Sequence, residues 1–184
     1  MNRKIQIFEE HIKNSNIGKV KEFLDDKTFD PTYHRHIAFE KSVYFGHYSI
    51  FKLFLNDRRF KNNSRYESSF VSACQSGFLD IVEEFFNFKH FDISCDNNLA
   101  FISACYSKNT SVINLFLNDE RFNFIDLKIE DFNKIKNKNH SFIYLIFQCK
   151  KIRNDISCWI TEDFNKEIYH NLKKIELSES IMDF

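Results

Sequence analysis

The chain has 184 residues, 43% of them hydrophobic, and its 26 basic residues balance its 26 acidic residues, so the formal net charge is zero. A chain of this length and composition can bury the core of one domain, whereas a zero net charge gives no overall field that would hold a nucleic acid or an anionic membrane. Three glycines and one proline argue against loop-rich β-folds and favour helices joined by short turns.

The first predicted elements are two short helices near the start of the chain. Residues 5 to 14 form the first, and residues of about 17 to 26 form the second, which directs Val20, Phe23 and Leu24 inwards. We expect this pair to be an end cap, so its outer face can be polar.

Three fuller helix pairs follow, at roughly 33 to 57, 66 to 88 and 97 to 119. They share a period of 31 residues that is marked by two columns of phenylalanine. These columns are Phe23, Phe54, Phe85 and Phe116, and Phe29, Phe60, Phe91 and Phe122. A fixed period of this size is typical of stacked repeats, in which short helices bury their apolar faces against neighbouring units.

Small residues repeat with the same period. Gly46 and Gly77 stand 31 residues apart, in the predicted turn between the two helices of a unit. The same spacing separates Ala73 from Ala104 and Cys74 from Cys105. We expect the small residues to let the first helices of neighbouring units approach closely, and both cysteines to be buried and reduced.

These stretches resemble a known repeat. Gly46-His47, and the run from Ser72 to Phe86 with its Ser-Ala-Cys and Ile-Val-x-x-Phe-Phe positions, look like the ankyrin repeat in the divergent form common in large DNA viruses and amoebal genomes. The resemblance covers roughly residues 5 to 124, although the Thr-Pro-Leu-His turn of the family is replaced by Ser68-Ser-Phe-Val and Leu99-Ala-Phe-Ile. It implies an all-α, ankyrin-like helix-turn-helix solenoid of about four to five units with a C-terminal capping helix.

The period weakens towards the C-terminus. Residues 129 to 150 are interpreted as a degenerate last unit, because Ala104 maps to Ile135 and Cys105 maps to Lys136. The predicted repeat stack therefore spans 1 to 150, and 151 to 184 hold an amphipathic helix over 161 to 175. We expect this helix to cap the open end of the stack; the alternative is a partner-docking helix, like the F-box-like segments of some viral ankyrin proteins.

Signals for other compartments are absent from the sequence. The longest apolar run, 142 to 147, is too short to cross a membrane, and the N-terminus lacks the apolar region of a signal peptide. We therefore expect a cytoplasmic protein, in the host cytoplasm if it is viral. The glycosylation sequons at Asn62, Asn109 and Asn139 are then expected to be unmodified.

Catalytic and cofactor-binding motifs were not found. The sequence has no phosphate-binding loop, no dinucleotide fingerprint, no His-Glu-x-x-His and no Cys-x-x-Cys, so we expect neither an enzyme nor a cofactor. His34, His36 and His47 could suggest a metal, but surface histidines are the favoured interpretation. The alternating lysines over 134 to 138 are interpreted as a solvated loop rather than a phosphate site.

The resemblance places partner binding on the turns between units and on the face formed by the first helices. The candidate partner-binding residues in those turns are Tyr33, His34, Arg35, Ser64, Arg65, Tyr66, Asp96 and Asn97. Tyrosine and arginine dominate interface energetics, which makes Tyr33, Arg35, Arg65 and Tyr66 the predicted hot spots; the alternative is that they are ordinary exposed polar residues.

Two function classes remain. The favoured one is a monomeric module that binds a protein partner through these surfaces; the alternative is a structural or assembly component of a viral particle, which would self-associate. An enzyme is a third class that no sequence motif supports.

Overall fold

A computed structural model describes residues 3–61, 65–123, 130–131 and 134–135. Within them are eight α-helices with defined bounds and no strand, which confirms the all-α prediction for this part of the chain. The helices are α1 (Arg3–Lys13), α2 (Ile17–Asp25), α3 (Tyr33–Tyr44), α4 (Tyr48–Asn56), α5 (Tyr66–Ser76), α6 (Leu79–Asn87), α7 (Cys95–Tyr106) and α8 (Thr110–Asn118). The predicted C-terminal helix, and most of the predicted degenerate unit, lie outside the described residues.

The helices pack as four consecutive pairs. The odd-numbered helices contact one another in chain order, and the even-numbered helices do the same. We call the odd-numbered set the first-helix layer and the even-numbered set the second-helix layer. Each second helix has nine residues, and the four begin at Ile17, Tyr48, Leu79 and Thr110. The predicted helix pairs agree with these bounds to within about two residues, the usual uncertainty of a helix end.

The core is built from aromatic side chains that recur in every pair. Phe54 and Phe60 stack with ring centroids 4.8 Å apart, and the corresponding Phe116 and Phe122 lie 5.3 Å apart. The first helices add a third column, Phe8, Phe39, Phe70 and Phe101, all of them fully buried. Such pairs contribute about 0.5–1.5 kcal/mol each beyond their buried area. The core therefore contains the two phenylalanine columns of the 31-residue period and a third column on the first helices.

A left-handed residue separates the two helices of each pair. The four residues are Ser15 (φ 54°), Gly46 (φ 67°), Gly77 (φ 74°) and Lys108 (φ 60°). The residue that follows donates its backbone N–H to a carbonyl near the end of the first helix, as His47 does to Ser42 at 2.9 Å and Phe78 does to Ala73 at 3.1 Å. This is the hydrogen bond of a left-handed helix C-terminus.

The next pair packs directly over the glycines. A Cβ atom on Gly46 would lie 2.7 Å from ring carbons of Phe78, and one on Gly77 would lie 2.8 Å from Oδ1 of Asn109. Asn109 also donates from Nδ2 to the carbonyls of Cys74 and Gln75, both at 2.8 Å. Gly46 and Gly77 therefore serve both the local turn and the contact between neighbouring pairs.

Two arginines, one after α4 and one after α8, each form hydrogen bonds to the preceding helix pair. Arg59 is held by Asp57 and donates from Nη2 to the carbonyl of Leu24 at 2.8 Å. Arg121 is held by Asp119 in the same way and donates to the carbonyl of Phe86 at 2.7 Å. Each arginine thereby donates a hydrogen bond to a carbonyl in the last turn of a helix. Backbone carbonyls there have no N–H donor within the helix.

The predicted small-residue positions are buried. Ala73, Cys74, Ala104 and Cys105 have no exposed surface, and burial raises the pKa of both thiols well above the ordinary value. Ile135, which the sequence aligned with Ala104, is also fully buried in the same core.

The first prediction concerns Gly77. Replacing Gly77 with Ala should reduce the free energy of unfolding by about 1 kcal/mol or more, because the left-handed backbone disfavours any Cβ and this one meets Asn109. Gly18→Ala is the matched control, since the nearest atom to its Cβ would be 4.0 Å away in an ordinary helix. Urea unfolding monitored by circular dichroism measures both. Equal midpoints for the two variants would contradict the described turn.

The second prediction concerns the stability of the protein at low pH. Hydrogen bonds from Thr28 lower the pKa of Asp26 to about 2, and the Arg59 guanidinium lowers the pKa of Asp57. Because these carboxylates bind protons more weakly when folded, their contribution is complete above pH of about 4, near the ordinary value, and is lost as the pH falls towards 2. The urea midpoint should therefore drop over this interval, and less so in Asp57→Asn. A flat profile in the native protein would refute the assignment.

Candidate partner-binding surface

The predicted turn residues lie at the starts of α3, α5 and α7. The backbone of His34, Arg35 and His36 is left-handed, with φ between 49° and 64°, and Asp96, Asn97 and Asn98 adopt the same form with φ between 52° and 64°. A left-handed conformation costs non-glycine residues about 1–2 kcal/mol each, and least for Asn and Asp. His34, Arg35, Asp96 and Asn97 are exposed in these turns, while Ser64 lies outside the described residues.

Tyr33 is half-buried rather than projecting. Its hydroxyl donates to Oε1 of Glu9 at 3.1 Å, and Glu9 also pairs with Lys41 at 2.6 Å. The ring packs edge-on against Phe8. Burial, with the nearby Glu9 carboxylate, raises the pKa of Tyr33 well above its ordinary value. Tyr33 thus joins α3 to α1.

Tyr66 and Arg65 also make contacts between neighbouring pairs. The Tyr66 hydroxyl donates to the carbonyl of Phe60 at 3.0 Å, its ring lies 5.1 Å from that of Phe39, and burial raises its pKa. Arg65 donates from Nε to the carbonyl of Arg35 at 2.7 Å and pairs with Glu40. The start of α5 is therefore tied to α3 by both residues.

The structure divides the four predicted hot spots into two groups. Tyr33, Arg65 and Tyr66 have structural partners, whereas Arg35 is exposed and its side chain has no partner in the described part of the chain. Partner binding by all of them stays a prediction, but alanine variants of the two tyrosines would disturb the fold as well as any interface.

The first-helix layer has an exposed side that the sequence had predicted only in general terms. We call this side the first-helix face. Its residues recur at i, i+4 and i+7 of each first helix, which places them in one stripe. They are Gln6, Glu10 and Lys13 on α1, Ile37, Lys41 and Tyr44 on α3, Ser68, Ser72 and Gln75 on α5, and Leu99, Ser103 and Tyr106 on α7. Extending the 31-residue period to this stripe would have identified them.

Two large side chains on this face are exposed, and one of them strongly. Tyr44 is 68% exposed, and its ring lies against that of Phe45. Leu99 is 39% exposed on α7. Ile7 and Ile17 are exposed to a similar degree, at 39% and 42%, but they belong to the first helix pair, where a polar outer face had been expected.

Charge is distributed unevenly over the first-helix face. Glu10, Lys13 and Lys41 lie on α1 and α3, beside a groove of about 470 Å³ that Glu9 and Phe45 also line. The stripe on α5 and α7 carries no charged residue at all. One half of the face is therefore polar and ionic, and the other half is neutral.

His34, His36 and His47 do not form a metal site. His34 is exposed, His36 is half-buried beside Phe60, and Nε2 of His47 lies 3.0 Å from the carbonyl of Lys13. Within the described ranges, no group of three or more His, Cys, Asp or Glu side chains is arranged to hold a metal ion. None of the helices in those ranges combines the length and apolarity needed to cross a membrane.

Comparisons with known proteins give no relative: no protein-family model, no curated protein and no solved structure matches the chain.

The third prediction separates structural from exposed turn residues. Tyr66→Ala should reduce the free energy of unfolding by about 2 kcal/mol or more, because it removes an aromatic ring from the core, and Tyr66→Phe by about 1 kcal/mol for one lost hydrogen bond. Arg35→Ala should stay within about 0.5 kcal/mol of the native protein. Urea unfolding measures all three, and a Tyr66→Ala variant as stable as Arg35→Ala would contradict the described packing.

Proposed function

We propose that this chain is a non-catalytic protein-binding scaffold, built as an ankyrin-like stack of helix-turn-helix units, that contacts a protein partner through its first-helix face and the adjoining turns. The observation that carries the proposal is the exposure of Tyr44 and Leu99 on this face, beside the exposed turn residues His34, Arg35 and Asp96. Tyrosine and arginine are enriched among the residues that dominate interface energetics, and an exposed leucine adds apolar area that a partner could bury.

Rigidity supports the same function. The face is formed by helices whose opposite sides hold Phe39, Phe70 and Phe101 in the core, and Arg65 ties the turn of α3 to the start of α5. A surface held in this way loses little conformational entropy when a partner binds, which favours affinity.

The fourth prediction tests the proposal by affinity capture. Three baits are compared, each of them the full chain. They are the native protein, the variant Tyr44→Ser/Leu99→Ser and the control variant Ile7→Ser/Ile17→Ser. The control pair removes two exposed apolar side chains, 39% and 42% exposed, from outside the proposed face. A partner identified by mass spectrometry should be retained by the control and lost by the first variant, with all three proteins equally stable.

Light scattering on the purified chain distinguishes the binding module from the alternative, a structural component that self-associates. A monomer that captures a partner supports a binding module. A chain that self-associates into large assemblies, and that captures the same proteins in both variants, would favour a structural component and overturn the proposal.

A further inference from the structure

The three junctions between neighbouring helix pairs differ in the second-helix layer. We number them in chain order, so that the second junction joins the pair α3 and α4 to the pair α5 and α6. At the first and third junctions, an arginine that follows the later second helix donates to a carbonyl of the earlier one, 35 residues before it. Arg59 reaches Leu24 at 2.8 Å, and Arg121 reaches Phe86 at 2.7 Å. We call this hydrogen bond the arginine clasp.

The second junction lacks the arginine clasp. The 31-residue period places His90, which is exposed, at the position of Arg59 and Arg121. It places Phe88 where the other two junctions have the aspartate that holds the arginine. The acceptor that corresponds to His90 is the carbonyl of Leu55, and no side chain among the described residues donates to it.

A second polar contact is missing at the same junction. His47 and Asn109 stand immediately before α4 and α8 and reach back to the end of the preceding first helix. Nε2 of His47 lies 3.0 Å from the carbonyl oxygen of Lys13, and Nδ2 of Asn109 donates to the carbonyl of Cys74 at 2.8 Å. The corresponding residue before α6 is Phe78, whose side chain has no polar atom.

The polar link that the structure shows between α4 and α6 is a single carboxylate. Oε1 of Glu84 accepts from the Tyr48 hydroxyl at 2.8 Å and lies 2.5 Å from Nζ of Lys52. The Lys52 side chain is 41% exposed, so water and salt weaken this ion pair. Aromatic rings meet across all three junctions and therefore do not make up the difference.

The first-helix layer, in contrast, is joined at the second junction. Arg65 donates from Nε to the carbonyl of Arg35 at 2.7 Å, and the Tyr66 hydroxyl donates to the carbonyl of Phe60 at 3.0 Å. Both donors lie at the start of α5. An interface that is fixed on one side and weakly linked on the other bends before it separates. In a stack of repeats each interface contributes its own stability, so the weakest one opens first.

We propose that the second junction is a hinge, at which α6 moves away from α4 while Arg65 and Tyr66 hold α5 to α3. The hinge follows from the contacts between pairs and does not depend on what the chain binds. The ionic half of the first-helix face, on α1 and α3, meets the neutral half, on α5 and α7, at this junction. Its opening changes the angle between the halves, and a partner that contacts both of them selects one angle.

Thiol labelling measures the opening of each junction separately. One position of the second helices is covered by the preceding pair, because Ile50, Ile81 and Val112 are at most 1% exposed whereas the equivalent Lys19 of the first pair is exposed. Ile50→Cys, Ile81→Cys and Val112→Cys therefore report on the first, second and third junctions. Each full-length variant is treated with N-ethylmaleimide, and peptide mass spectrometry separates the introduced thiol from the native cysteines. The rates are compared at urea concentrations that equalise the free energies of unfolding.

We expect the thiol of Ile81→Cys to react about tenfold faster than the other two. The arginine is then exchanged between junctions. Adding His90→Arg to Ile81→Cys supplies the missing donor and should slow labelling by about threefold to tenfold, and adding Arg121→His to Val112→Cys should speed it by a similar factor. Glu84→Gln should speed the labelling of Ile81→Cys and leave that of Val112→Cys unchanged, because only the second junction depends on this carboxylate.

Equal rates for the three thiols would mean that the stack opens as a whole, and would overturn the hinge. A fast Ile81→Cys thiol would also fail to support it if neither His90→Arg nor Arg121→His changed the rate at its own junction, because the clasp would then not control opening. The Arg121→His comparison leaves the second junction unaltered, so it tests the role of the clasp even where changes at Ile81 disturb folding.

Discussion

A left-handed residue ends each first helix, at Ser15, Gly46, Gly77 and Lys108, and it reverses the chain so that the second helix packs back on the first. At the two glycines, a side chain of the following pair occupies the space where a Cβ would lie. The same contact therefore closes one helix pair and positions the next. Helices of nine to twelve residues are marginal alone, so their stability depends on this packing.

The division of the molecule into a core side and a free side follows from that contact. Once the pairs are aligned, the phenylalanine columns face one another and fill the interior, and Arg59 and Arg121 satisfy carbonyls of the preceding pair. The first helices keep an exposed side, the first-helix face, on which some side chains such as Lys41 have structural partners. Tyr44 and Leu99 are exposed there, and the residue types along the stripe, rather than the fold, decide which partner would fit.

The sequence was sufficient to predict the helix pairs, the burial of the two cysteines and the position of the two turn glycines, because each of these depends on spacing and residue size alone. It was not sufficient for Tyr33 and Tyr66. Both stand at the start of a helix, where the sequence predicts an exposed turn, but their rings fold back onto Phe8 and Phe39, and such an orientation depends on neighbouring pairs. The left-handed backbone of 34–36 and 96–98 was not predicted either, although five of these six residues are His, Asp or Asn, the non-glycine types found most often in that conformation.

A double-mutant cycle between Gly77 and Asn109 tests the central contact most directly. The free energy of unfolding is measured for Gly77→Ala, for Asn109→Ala and for the variant that carries both. If the added Cβ is destabilising because it meets the Asn109 side chain, the double variant should lose less stability than the sum of the single losses, by about 0.5 kcal/mol or more. Strictly additive losses would mean that the two side chains do not meet and that neighbouring pairs are not aligned as described.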